Sequence, residues 1–156
     1  MLQQLLTDAG RVGKDAWRPL LLYVAELHGR SILAPRPPLV HPVEEIGPGY
    51  CYAPCFGHWD IVHALFDSIP SEPAHVRHQI RNLLAVQQPD GMIPALLRLA
   101  GDVCRHSTTV TAPPVWPFAV EDCLATGGDS TPSILPACFA ALRRQQSPAP
   151  RKVTRP

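Results

Sequence analysis

Nineteen prolines cut this 156-residue chain into segments that suit short helices joined by structured loops. Each proline removes a backbone donor and clashes with the preceding turn of a helix, so a helix can begin at a proline but not run through one. The residue before it is pushed toward extended backbone as well. Pro35, Pro37, Pro38, Pro42 and Pro48 therefore predict an extended, irregular course for residues 31–48.

Between the prolines, apolar residues recur at helical spacing. Residues 2–9 suit one or two turns. Residues 15–28 read as a helix, with Trp17, Leu20, Leu21, Val24 and Leu27 as its stripe and Gly29 as its C-cap. Residues 60–69 form a second helix with Ile61, Ala64 and Leu65 on one face. Residues 74–88 give the clearest pattern, with Val76, Ile80, Leu83, Leu84 and Gln87 inward and Arg77, His78 and Arg81 on the wetter side. Ser71 suits the N-cap of that helix, and Pro73 its first turn. Residues 114–125 make another helix, carrying Trp116, Ala119, Val120, Cys123 and Leu124. A last helix, N-capped by Thr131 with Pro132 following, ends near Arg144. Pro94 argues against a central strand in the apolar run 92–99, and residues 101–110 read as a polar loop. The expected fold class is all-α, built of two antiparallel helical hairpins.

Charge and cysteine content narrow the function classes. Fourteen basic and thirteen acidic residues leave a formal charge of +1 without a basic stripe, which disfavours nucleic acid as a partner. The start, Met1–Leu6, lacks the basic region and cleavage site of a signal peptide. The apolar run 20–27 is too short to span a bilayer and is interrupted by Glu26. Five cysteines cannot all pair within one chain. The reading is a reduced, cytoplasmic protein with no membrane partner and no cofactor. Cys51, Cys55, His58 and His63 could ligate zinc, but their spacing matches no common finger and half the set lies on a helix, so buried free thiols and structural histidines are expected and no metal is assigned. Cys104 and His106 lack an orienting acid, so a Cys–His nucleophile is not assigned.

The richest segment is Gly49–Asp60, a Gly/Pro-containing turn with Tyr50, Tyr52, Phe56, His58, Trp59 and Asp60 at the mouth of a helix. Flat aromatic faces beside a carboxylate are what a pyranose ring and its hydroxyls require. A second aromatic turn, Thr111–Trp116, opens another helix. The simpler readings are a core tryptophan at 59 and a helix N-cap at Asp60; packing alone would also account for Trp116.

Gly57-His58-Trp59-Asp60, Gln87-Gln88-Pro89-Asp90-Gly91-Met92-Ile93-Pro94 and Pro113-Pro114-Val115-Trp116 occur in that order. The series resembles the six-hairpin glycosidases, in particular the trehalase, glucosidase and mannosylglycerate hydrolase-like enzymes with an (α/α)6 toroid. The resemblance covers residues 50–129. It implies a partial (α/α)6 toroid over residues 49–146; the N-terminal helix and Pro-rich segment (1–48) precede it, and the basic, proline-rich composition of residues 147–156 predicts a disordered tail. It further implies a small oligosaccharide or glycoside as ligand, with Tyr52, Phe56, Trp59, Asp60 and Trp116 as substrate-binding residues.

Two departures qualify what the resemblance implies. Ala112 stands where the family carries Gln. No segment supplies the acid and base that inverting hydrolysis of O-glycosyl bonds requires, roughly 6.5–9.5 Å apart; Asp129-Ser130-Thr131-Pro132 is similar to the acid segment but falls too early. No catalytic residue is assigned, and the expectation is a fragment without glycosidase activity of its own. An incomplete toroid would also expose apolar hairpin faces, favouring self-association or pairing with a missing C-terminal part. The alternative from a different class is a non-catalytic helical interaction module or relic.

Overall fold

A computed structural model describes residues 2–47, 49, 51, 54–102, 104–106, 110–126 and 134–146. The elements in chain order are α1 (Gln3–Ala9), a 3-10 turn (Asp15–Trp17), α2 (Arg18–Arg30), β1 (Ile32–Leu33), β2 (Val43–Glu44), β3 (Cys55–Gly57), α3 (His58–Ser68), α4 (Pro73–Ala85), β4 (Leu96–Arg98), β5 (Arg105–His106), α5 (Trp116–Thr126) and α6 (Leu135–Gln146). Two small antiparallel sheets accompany the helices, β1–β2 and β3–β4–β5. The fold is therefore mixed and not purely helical, which corrects the all-α expectation. The strands escaped the sequence reading because each is two or three residues long, too short to show alternation.

The central strand of the larger sheet is β4, in the apolar run where Pro94 argued against one. Pro94 lies before the strand and bridges Thr111, so its missing N–H falls outside the β3–β4 ladder. Phe56 pairs with Leu97, and Leu97 in turn with His106. This sheet ties the start of α3 to the segment that leads into α5. The His58 N–H donates to the Ala95 carbonyl (2.9 Å), the Ala95 N–H to the Val110 carbonyl (3.0 Å), and the Thr111 hydroxyl to the Ile93 carbonyl (2.6 Å).

α3 and α4 form an antiparallel hairpin, and α3 also packs on α5. The C-terminus of α6 returns to the start of α5, where Gln145 Oε1 accepts the Trp116 indole N–H (3.1 Å). The core lies between these helices and the sheet, with Phe56, Leu65, Ile80, Leu83 and Trp116 fully buried. Burial of one such side chain contributes about 1.5–3 kcal/mol. A smaller cluster of Leu2, Leu5, Ala9 and Ala25 joins α1 to α2. The stripe expected on α2 is largely not core: Trp17 and Leu20 are exposed, and Leu21, Val24 and Leu27 only half-buried.

Local caps also differ from expectation. α2 continues through Gly29 to Arg30 and is followed by Ser31. Glu72, not Ser71, precedes α4, and the Ser71 hydroxyl donates to Asp8 Oδ2 (2.7 Å). Arg77, His78 and Arg81 are half-buried, and the His78 ring stacks on His41 at 4.3 Å between centroids. Thr131, Pro132, the 129–132 segment and the tail 147–156 lie outside the described residues.

The Pro-rich segment after β1 is held by a polar row on α4. His75, Gln79 and Asn82 recur at helical spacing beside the apolar row Val76, Ile80 and Leu83, and all three are buried. Gln79 Oε1 accepts the Glu44 N–H (3.1 Å), and its amide donates to the Pro42 carbonyl (2.9 Å). Asn82 Oδ1 accepts the His41 N–H, and its amide donates to the carbonyls of His41 and Pro42, each at 3.3 Å. Extended backbone without a sheet partner needs such donors and acceptors when it is buried.

Candidate functional site

α3 begins at Gly57, whose extended backbone (φ −94°, ψ 126°) turns the chain from β3 into the helix. Asp60 lies in the first turn, where a carboxylate is favoured by the helix dipole. Its Oδ2 occupies the space that a Cβ on residue 57 would need, so the carboxylate folds back over the glycine. Trp59 beside it is 43% exposed, and its ring lies 4.8 Å from the His63 ring at a 59° tilt.

Of the residues expected to bind substrate, Trp59 and Asp60 are the exposed ones among the described residues. Phe56 is completely buried on β3, a strand buried throughout its length. Trp116 is completely buried as well, its indole N–H taken by Gln145. Both are core side chains here, not walls open to a ligand. Tyr52 lies outside the described residues.

Asp60 also lines a cavity of about 110 Å³ between α2, the β2 segment and α3, together with His28, Ser31, Glu44 and Glu45. Beneath the cavity, Glu44 is nearly fully buried and takes an imidazole on each oxygen. His28 Nδ1 donates to Oε1 (2.5 Å) and His75 Nε2 to Oε2 (2.6 Å). His28 Nε2 faces Asp67 Oδ2 at 3.5 Å. Burial opposes a charge on His28, but Asp67 and Glu44 outweigh it and raise its pKa from the ordinary 6.5 to about 9. Burial likewise opposes charge on Glu44, yet the two imidazoles hold its carboxyl below the usual range. The result is a buried hydrogen-bonded network joining α2, β2 and α4, with His28 and Glu44 as its charged pair.

Glu45 differs from its neighbour. It is 9% exposed, burial pushes its carboxyl up, and its Oε2 receives no hydrogen bond among the described residues. Sequence reasoning passed over Glu44, Glu45, His28 and His75. The available signal was the polar row 75, 79, 82 on α4, which a search for apolar rows reads as a solvated flank. His58, completely buried with neither ring nitrogen hydrogen-bonded among the described residues, is held neutral by burial, its pKa lowered to about 4.

The five cysteines are free thiols, four of them buried. Burial raises Cys55 and Cys138 to about 11. Among the described residues no three His, Cys, Asp or Glu side chains converge as a metal site, and no helix is long and apolar enough to cross a membrane. The turns of residues 90–92 and 111–114 share a second cleft of about 210 Å³ with Gln145, and Ala112 offers it only a methyl group. Comparison with protein-family models, curated proteins and solved structures finds no match to this chain.

Proposed function

We propose that this chain binds a small glycoside at the first turn of α3, as a helical-hairpin unit of the glycoside hydrolase type, and does not hydrolyse it alone. The observation that carries the reading is that Trp59 and Asp60, both exposed, stand consecutively in the first turn of α3. The ring supplies apolar area to a sugar face, and the carboxylate accepts from hydroxyls. The hydrogen bonds from His58 to Ala95 and from Thr111 to Ile93 draw the three glycosidase-like turns to the same end of the hairpins, which supports the reading further.

The test is titration of the purified chain with glucose, mannose and trehalose, followed by tryptophan fluorescence. Saturable quenching that vanishes in Trp59→Ala is expected. No response from a chain that is helical by circular dichroism refutes the reading. Turnover of an aryl α-glycoside would refute the proposed lack of hydrolysis.

A second reading, an interaction module, draws on the apolar groove between α5 and α6. Phe139 (63%) and Leu135 line it and are exposed, and Phe118 (62%) and Leu124 are exposed on α5 as well. Sedimentation of the wild-type chain against Phe118→Ser/Phe139→Ser tests it, with loss of association in the variant as the supporting result.

A further inference from the structure

The tip where α1 turns into α2 stands out of the fold, and every residue from Arg11 to Leu20 is exposed. Val12, Trp17, Leu20 and Tyr23 are each more than half exposed, so four large apolar side chains face water within one short segment. The turn folds back on α2, where a Cβ at residue 13 would already meet Leu21 Cδ1 at 3.2 Å and Trp17 Cε3 at 3.5 Å. With Val12, the half-buried Leu21 and Val24 line a cavity of about 320 Å³, which extends this apolar surface toward α1. Cations stand among the apolar side chains. Lys14 Nζ lies 5.3 Å over the Trp17 ring, and Arg11 and Arg18 flank it in the chain. The acids near them are occupied. Asp15 pairs with Arg18 (2.7 Å), Glu26 with Arg30 (3.3 Å), and Asp8 accepts from the Gln4 amide and the Ser71 hydroxyl. Arg11 and Lys14 form no ion pair among the described residues.

We infer that the α1–α2 tip docks on an anionic lipid surface, with Trp17, Leu20 and Tyr23 in the headgroup region and Arg11 and Lys14 against lipid phosphates. Segments that lie in a membrane interface combine Lys or Arg with Trp and Leu, and the rings of Trp and Tyr settle where one end is apolar and the other wet. A lysine there keeps its stem on apolar surface and its charge among the headgroups. Such a contact needs no spanning helix. Two other partners fit less of this surface. Nucleic acid would engage the cations and leave Val12 and Leu20 in water. A second copy docked by the same tip would bring like charges together, because a two-fold contact pairs a patch with itself.

The experiment is co-sedimentation of the full chain with vesicles of phosphatidylcholine alone and of an equal mixture of phosphatidylcholine and phosphatidylserine, with tryptophan emission as a second readout. Binding to the mixed vesicles with a blue shift of emission is expected, and neutral vesicles should bind about ten-fold more weakly or less. Added salt should weaken the binding to mixed vesicles. Arg11→Gln/Lys14→Gln should lose roughly five-fold for each cation removed. Trp17→Ser/Leu20→Ser should lose about ten-fold or more together with the blue shift. Trp59→Ala should keep both, since that ring lies on α3. The substituted tip residues are exposed, and circular dichroism checks that each variant folds; the cation pair decides if the apolar pair does not. Absence of vesicle binding overturns the inference, as does equal binding to neutral vesicles or binding unchanged in either folded double variant. A blue shift lost in Trp59→Ala and kept in Trp17→Ser/Leu20→Ser would move the contact to α3 and overturn it too. Binding of a DNA duplex, or self-association, that the tip variants abolish while vesicles go unbound assigns the surface to that partner and overturns the lipid reading.

Discussion

His28 Nδ1 lies 2.5 Å from Glu44 Oε1, and this contact joins α2 to the extended segment that α4 holds in place. An imidazolium and a carboxylate satisfy each other here out of contact with solvent. The pair gives the protein a signature in pH.

The His28 pKa stands at about 9 against an ordinary 6.5. Its charge therefore contributes stability that is complete below pH 6.5 and lost as the pH rises through 9, because only the folded state then still binds the proton. The difference corresponds to about 3 kcal/mol. Thermal unfolding between pH 6 and 9.5 should show a falling melting temperature in the wild type and a much flatter profile in His28→Gln. An equally steep decline in the variant would remove His28 as its cause. Glu44, held low, contributes at the other end: its share is present above pH 4.5 and lost as the pH falls below that value.

Gln79→Ala should destabilise the chain by about 1–3 kcal/mol, since it strands the buried Glu44 N–H and leaves the Pro42 carbonyl only the longer bond from Asn82. Among the described residues no other side chain of α4 bonds both groups. An exposed position of the same helix, Ala74→Ser, serves as the control and should change stability by less than about 0.5 kcal/mol. Urea unfolding distinguishes the two, and a Gln79→Ala midpoint equal to that of the control would show that water replaces the amide.

How much of this was legible in the sequence divides along physical lines. The α3–α4 hairpin was, because Ile61, Leu65, Val76, Ile80 and Leu83 recur at helical spacing and are in fact buried. The strands were not, since pairs such as Phe56 with Leu97 join residues 41 positions apart and leave no local pattern. Trp59 and Asp60, singled out by residue type at a helix mouth, are exposed in the first turn of α3. Phe56 and Trp116 carried the same chemical signal and lie in the core, because residue type alone does not distinguish an aromatic face turned outward from one turned inward. Glu44 and Glu45 are adjacent acids with different surroundings, a distinction that arises only when His28 and His75 arrive from two other elements.

Gly91→Ala should be among the most damaging single changes. Gly91 has φ +87°, and an added Cβ would overlap the Arg144 carbonyl and fall 2.9 Å from the Gln145 nitrogen. The obstacle is backbone, so α6 would have to withdraw, taking Gln145 from the Trp116 indole and Ala141 from the Gln87 amide. A loss of about 3 kcal/mol or more is expected. Indole exposure, followed by a red shift of emission, should accompany it; a variant with wild-type emission and stability would show that α6 does not rest on this glycine.

His58→Leu should stabilise the acid side. The folded ring stays neutral to about pH 4, whereas an unfolded histidine takes a proton below 6.5, so the wild type loses stability as the pH falls between those values. Replacing a buried ring that has no hydrogen-bond partner among the described residues by an apolar side chain removes that penalty. The gain over wild type should grow by about 2 kcal/mol from pH 7 to pH 5. A gain independent of pH would place the acid sensitivity elsewhere.

Gly57→Ala tests the geometry of the proposed sugar site with little disturbance of the fold. The backbone at residue 57 is ordinary extended chain that alanine adopts freely (φ −94°). Its Cβ would overlap Asp60 Oδ2 and meet Ile46 Cγ2 at 3.0 Å, both ends of side chains that can move. Asp60 must therefore swing off the glycine, while the helix keeps its start. Stability should fall by less than about 1.5 kcal/mol. Glycoside binding, if it depends on the Asp60 carboxylate beside Trp59, should weaken by ten-fold or more, because a charge-assisted hydrogen bond is lost with its alignment. Fluorescence titration alongside Asp60→Asn decides the matter. Equal weakening in the two variants ties binding to the position of the carboxylate, whereas full binding in Gly57→Ala with loss in Asp60→Asn would show that the fold-back over Gly57 has no part in it.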